Sequence, residues 1–257
     1  MAYTKLIPRF TSGAKVEEFS QGNRRQAYHL SISAGSADKY RLAQLDDYTK
    51  TQRNRFPLRS PLSLSLSART SSDSISGTWG FGLWNDPFGL SLGFGGNPLR
   101  LPTLPNAVWF FGASKESYLS FRDASTSQRE VANGFLAQTF RSPKFHPLLI
   151  LAGLVLPFSR KMTRRLLGKV IDEDGIALSV DVAQWHRYRL DWRDERVSFE
   201  VDDVQVFESH VIPNPPLGLV IWIDNQYAAF TPEGKIGFGV LENPEPAWLE
   251  IQDIDVT

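Results

Sequence analysis

The sequence predicts an all-β fold, a sandwich of two antiparallel sheets that carries one inserted, partly helical arm. Three observations predict it. Apolar and polar residues alternate with a period of two along most of the 257 residues. The alternating runs are short and are separated by Gly, Pro, Asn and Asp, the pattern of many strands joined by turns. One stretch, 141–171, breaks the pattern with a proline-bracketed apolar run followed by a cluster of positive charge. The strand pattern resumes directly after it, so the reading is one sandwich domain over 1–257 with the arm inside it.

The elements follow in order. LSLSLSA (62–68) sets Leu62, Leu64 and Leu66 on one face and serines on the other, a half-buried strand. WGFGLW (79–84) sets Trp79, Phe81 and Leu83 on one face and Gly80, Gly82 and Trp84 on the other, with Asp86 in the same parity. AVWFFGAS from Ala107, YLSFRD (118–123) and GFLAQTF (134–140) read as further strands. WHRYRLDW (185–192) turns through RDER into VSFEV, and Asp202-Asp203 turns that strand into VQVFES, giving two successive hairpins. LGLVIWID (217–224), GKIGFGVLE and WLEIQDIDV complete the set. AQLDDY (43–48) reads as a solvated strand end.

Bulk properties exclude several classes. The 28 basic and 28 acidic residues cancel, so no global field gathers nucleic acid and no nucleic-acid partner is expected. The chain has no cysteine, which removes disulfides, thiol nucleophiles and cysteine zinc sites. Its four histidines lack metal-ligand spacing and its Gly-rich stretch lacks a phosphate-loop lysine, so no metal or cofactor is expected. The N-terminal MAYTKLIPRFTSGAK has no apolar signal core, and no stretch approaches the roughly 18 apolar residues of a membrane span. The expected location is the cytoplasm, with peripheral membrane contact through the arm as an extension of that reading.

Several segments together resemble the concanavalin A-like lectin/glucanase superfamily, and glycoside hydrolase family 16 within it. They are GTWGFGLWNDP, the hairpin WHRYRLDWRDERVSFEVDDVQVF, PLGLVIWIDNQ and the final WLEIQDIDV. The resemblance spans Leu62 to Val256 without the arm. It implies a jelly roll with a concave sheet. In the family's hydrolases that sheet carries an E-x-D-x-x-E strand, whose paired carboxyls act as nucleophile and acid/base. At the corresponding place this chain reads NAVWFFGAS, without an acid. The resemblance therefore implies the fold without the family's usual hydrolysis.

On that concave sheet the resemblance implies a cleft. Gly80 and Gly82 would floor it, Trp84, Trp109, Phe111 and Trp222 would wall it, and Asn85, Asn225, Gln226 and Tyr227 would edge it. Aromatic walls with a few polar groups suit a small molecule. Asp86 and Asp224 are the candidate acid/base pair if the site is catalytic, since burial beside Trp raises a carboxyl's pKa.

The arm holds LLILAGLVL between Pro147 and Pro157, too short to span a bilayer. Leu148, Leu149, Ile150 and Leu154 are its candidate contact residues. In the following segment Met162, Leu166, Leu167, Val170 and Ile171 recur with helical spacing. Arg160, Lys161, Arg164, Arg165 and Lys169 fill the opposite face, predicting a basic amphipathic helix. Such an arm serves as a lid, a membrane contact or an oligomer contact. Three functions fit these residues. The first is a non-hydrolytic protein that holds an amphiphilic or hydrophobic small molecule, glycosylated or not, in the aromatic cleft. The second is an enzyme, an isomerase, cyclase or atypical glycosidase, using Asp86 and Asp224. The third is a cytosolic lectin that binds a saccharide.

Overall fold

A computed structural model describes residues 5–19, 27–87, 100, 103–121 and 132–257. The chain begins with β1 (Ile7–Phe10), β2 (Ala14–Phe19), β3 (Ala27–Ile32), β4 (Leu42–Asp46), β5 (Leu62–Thr70), β6 (Thr78–Trp84), β7 (Ala107–Ala113) and β8 (Gly134–Arg141). The arm supplies α1 (Pro147–Val155) and α2 (Arg160–Gly168). Then come β9 (Asp172–Ala177), β10 (His186–Trp192), β11 (Val197–Val201), β12 (Val204–Ser209), β13 (Gly218–Asp224), β14 (Gln226–Phe230), β15 (Ile236–Val240) and β16 (Ala247–Val256).

Two large antiparallel sheets form. The first has the order β1-β4-β13-β6-β7-β8-β9 and the second β12-β11-β10-β5-β16-β3-β2, while β14 and β15 make a separate hairpin. The period-two pattern explains why they pack. The inner parity of the first sheet supplies Leu45, Phe81, Leu83, Phe110, Leu219 and Ile221, and that of the second Leu30, Leu64, Leu66, Leu190, Phe199 and Leu249. These meet between the sheets in one core whose burial drives the fold. Both expected hairpins form, β10 with β11 and β11 with β12.

Other segments differ from expectation. Within Tyr118–Asp123 the described residues form no strand, and Tyr118 makes one isolated parallel bridge to Ala229. The stretches that form β1 to β4 and β9 carry no clean alternation, because β4 is buried on both faces and β1, β2 and β9 lie at or next to sheet edges. AQLDDY is not a solvated end. Asp46, Asp47 and Tyr48 are all buried.

The arm leaves β8 and returns into β9, and these two strands pair from Arg141 opposite Asp172 to Leu136 opposite Ala177. It is therefore a long hairpin connection at one edge of the first sheet.

Candidate functional site

The second parity of the first sheet faces away from the sandwich core, and cross-strand register gathers the aromatic residues there. Trp222 lies opposite Gly80, which lies opposite Phe111. Gly82 lies opposite Trp109, which lies opposite Gln138. Trp84 and Trp222 stack with ring centroids 6.0 Å apart and planes 6° from parallel. Trp109 sits 6.0 Å from Trp84 and 5.7 Å from Trp222, and Phe111 sits 5.3 Å from Trp109. The expected assembly of Trp84, Trp109, Phe111 and Trp222 on one face is what the register produces.

The expected open cleft is not. Trp84, Trp109 and Trp222 are 9%, 5% and 6% exposed. Leu104, Leu119, Phe121, Leu167 and Ile171 pack with them into a second apolar cluster. The glycine floor is filled as well, since a Cβ on Gly80 would lie 2.9 Å from Cη2 of Trp222. The indole N–H groups are satisfied inside the cluster. Trp84 donates to Tyr48 Oη (2.6 Å), Trp109 to Gln138 Oε1 (3.3 Å) and Trp222 to Thr78 Oγ1 (3.0 Å).

Polar groups that sequence parity could have revealed rim this face. Gln44, Asp46 and Tyr48 share one parity, and Gln44 Nε2 donates to Asp46 Oδ2 (2.8 Å) and to Tyr48 Oη (3.3 Å). Asp46 also accepts from the backbone of Tyr48 and Thr49 and from the Thr49 hydroxyl. Toward the other edge, the buried Glu173 accepts from Gln138 Nε2 (3.2 Å) and from the Phe121 amide (2.7 Å). In β7 no carboxylate stands on the face. Trp109 and Phe111 occupy it.

Asp86 and Asp224 do not form a pair. Asp224 lies opposite Thr78 and Gly218 opposite Trp84, at the two ends of the β6–β13 ladder. Those six residues of strand span about 20 Å, and Asp86 lies two residues further on, too far apart to act on one small molecule. Each is instead tied down locally. Asp86 accepts from Arg100 Nη1 (2.5 Å), and Arg100 also donates to the carbonyls of Tyr48 and Thr51. Burial raises the Asp86 pKa, and the Arg100 hydrogen bond pulls against it. Asp224 accepts from Thr78 Oγ1 (2.7 Å), Tyr40 Oη (3.1 Å) and the Gln226 amide (3.2 Å), and burial pushes it up to about 6 against those bonds.

The polar edge residues are also placed differently from expectation. Asn85 donates to the Leu104 carbonyl and accepts from the Asn106 amide. Asn225 accepts from the Arg41 amide and donates to the carbonyls of Lys39 and Leu241. Both hold loops together. Gln226 and Tyr227 belong to β14, which pairs with β15 and leaves the sheet, and Tyr227 packs over Gly237 and Gly239.

The arm is a helical hairpin. His146 Nδ1 caps α1 by accepting from the Leu148 amide, with Pro147 in the first turn, and Ser159 Oγ caps α2 by accepting from the Met162 amide. Thr163 Oγ1 donates to the Ala152 carbonyl (3.2 Å) and joins the helices. The expected basic face is incomplete, because Arg164 is 1% exposed. It donates to the carbonyls of Phe230 and Ser120, both at 2.8 Å, and lies 5.7 Å from the Tyr118 ring. Leu167 and Ile171 press on the aromatic cluster, as a lid would. Leu148 and Leu149 are half-buried, whereas Ile150 and Leu154 are exposed. Of the eleven large apolar side chains exposed among the described residues, seven lie in the arm: Phe145, Ile150, Leu151, Leu154, Leu156, Phe158 and Met162. Beside them Ser159, Lys161, Met162, Arg165, Leu166 and Lys169 line a groove of about 420 Å³.

No protein-family model matches the sequence, and no curated protein does. Solved structures do. An endo-glucanase of glycoside hydrolase family 16 from Bacteroides ovatus, in complex with G4G3G-2F-DNP, aligns over 100% of this chain and 96% of its own, with 9% identity and a TM-score of 0.51. A Bacillus licheniformis β-glucanase aligns over 98% and 97%, with 10% identity and a TM-score of 0.47. The fold is a concanavalin A-like jelly roll, resembling that of family 16. At 9% identity the likeness concerns the fold alone. In this chain the outer face of the first sheet is filled with indoles, and the arm joins β8 to β9 at its edge.

Proposed function

We propose that this chain is a non-hydrolytic binding protein for amphiphiles that works at a membrane surface, with the helical arm as its contact. The observation that carries the reading is the concentration of exposed apolar side chains on α1 and the α1–α2 turn. An exposed patch of this kind marks an interaction surface. Among the described residues no helix is long and apolar enough to cross a membrane, so the contact is peripheral.

Magnitudes decide how strong it is. Full burial of a Leu, Ile or Phe side chain is worth about 1.5–3 kcal/mol. Ile150, Leu151, Leu154, Leu156 and Phe158 are 41–89% exposed, so inserting them yields on the order of 5 kcal/mol. That is close to one myristoyl chain, which holds a protein only marginally and needs a second, basic signal. The arm carries that signal, because 141–169 contains no acid and keeps Lys144, Arg160, Lys161, Arg165 and Lys169 exposed. The test is vesicle flotation. The intact chain is expected to float with anionic vesicles, and Ile150→Asp with Leu154→Asp is expected to stay at the bottom. A double variant that floats like the original chain contradicts the reading.

A second reading has its own support. The fold fits carbohydrate binding, and Leu167, Ile171 and Phe121 lie over three clustered indoles. Withdrawal of α2 would bare them, and aromatic faces stack on sugar rings. Saccharide titration followed by tryptophan fluorescence, with and without vesicles, tests it. A saccharide response only when vesicles are present favours a lid, and none in either condition removes this reading.

A further inference from the structure

We propose that the groove on α2 is the seat for the phosphate of an anionic glycerophospholipid. The inference rests on the membrane reading above and names the headgroup that the arm would take. Lys161 and Arg165 on α2 and Lys169 at its C-terminal cap recur at intervals of four, so their cationic ends line up along one side of the helix. Met162 and Leu166 form the apolar part of the lining, and Ser159 stands at the N-terminal end. The Ser159 oxygen already accepts from the Met162 amide, which leaves its hydroxyl hydrogen for an incoming oxygen. The groove, lined by residues 159–169 alone, has a volume of about 420 Å³.

Charge complementarity selects the occupant. Several surface cations are paired, Arg141 with Asp172, Arg187 with Asp203, Arg193 with Asp191 and Arg196 with Glu208. Among the described residues Lys161, Arg165 and Lys169 have no ion-pair contact. The carboxyl of Glu233 is held below its usual range chiefly by the Thr231 hydroxyl, with Lys235 and then Lys161 adding to it. Three cations facing one groove, in a chain of zero net charge, are arranged for a multivalent anion. Met162 ties the two halves together. It lines the groove and is 50% exposed, four residues from Phe158, which is 89% exposed at the α1–α2 turn. A molecule with its phosphate in the groove therefore has its acyl chains directed to the apolar patch. Free phosphate would leave that patch bare, so the structure favours the lipid.

The experiment compares two triple variants on phosphatidylcholine vesicles with and without phosphatidic acid. One is Lys161→Gln/Arg165→Gln/Lys169→Gln. The other, Lys15→Gln/Arg187→Gln/Arg196→Gln, removes the same charge from the second sheet. At roughly a fivefold loss per cation near an anionic surface, the groove variant is expected to bind phosphatidic acid vesicles about a hundredfold more weakly. The control variant is expected to bind within about threefold of the original, since its cations lie on β2, on β10 and in the β10–β11 turn rather than on the arm. Equal losses in both variants overturn the groove in favour of diffuse charge. In parallel, dihexanoyl phosphatidic acid below its micelle concentration is titrated and amide NMR shifts are followed. Saturable shifts confined to 159–169 are expected, with none from inorganic phosphate at the same concentration. Equal saturation by inorganic phosphate overturns the lipid assignment. If the original chain floats with no vesicle yet dihexanoyl phosphatidic acid still saturates the groove, the membrane reading fails alone. Flotation without a saturable shift sinks the groove alone.

Discussion

Arg164 is a basic residue in a basic run, yet it is interior. Its guanidinium satisfies the carbonyls of Phe230 and Ser120 and fixes α2 to the β14 hairpin. Arg164→Gln is expected to destabilise by about 2–4 kcal/mol, because it strands two buried acceptors and opens a cavity. Urea unfolding measures it, and Arg165→Gln is expected to cost less than about 0.5 kcal/mol. Gly80→Ala is expected to destabilise as well, because its methyl would meet the Phe110 carbonyl and the Trp222 ring. Asp47 and Asp224 set a pH dependence. Burial raises Asp47 to about 7 and Asp224 to about 6, above the ordinary value near 3.9. Between these values the folded chain holds protons that the unfolded chain has released. Their contribution to stability is therefore full below about pH 4 and is lost as pH rises through about 6 to 7. Among the described residues Asp47 Oδ2 has no hydrogen-bond partner, so Asp47→Asn is expected to gain on the original chain as pH rises from about 5 to 8. Denaturant midpoints across that range check it, and a gap that narrows with pH contradicts it.

At the scale of elements, the sequence carries some features and hides others. Alternation in LSLSLSA and in the WHRYRLDW hairpins defines β5, β10 and β11 because each has one buried and one wetter face. It fails for β4, which is buried throughout, and so AQLDDY reads as polar although Asp46 is enclosed by the Thr49, Tyr48 and Gln44 donors. The indole cluster is legible because strand parity is local. The separation of Asp86 from Asp224 is not, because it depends on which end of β6 meets which end of β13. The arm is legible as an insertion and as two capped helices. Its exposed face is not fully legible: period alone assigns Met162 to the inner side and Arg164 to the outer, whereas tertiary contacts with Tyr118 and Phe230 reverse them. Since α1 buries only Ala152, Ile150→Asp with Leu154→Asp is expected to change the unfolding midpoint little while abolishing vesicle binding.

The whole molecule is a jelly roll whose outer sheet face has become a second apolar core. The fold class followed from period and turn chemistry, and the absence of acids in NAVWFFGAS agrees with a β7 that presents Trp109 and Phe111. Incubation with mixed-linkage and β-1,3-glucans is expected to release no reducing ends above buffer, and turnover would contradict the non-hydrolytic reading. The central claim is that the arm enters a membrane surface, and the absence of cysteine makes it directly measurable. Leu154→Cys on the arm and Val204→Cys on β12, 66% and 63% exposed, are each labelled with an environment-sensitive fluorophore and mixed with anionic vesicles that contain a quencher on the acyl chains. A blue shift and quenching are expected at 154 and neither at 204. No change at 154, or equal change at both positions, would contradict it.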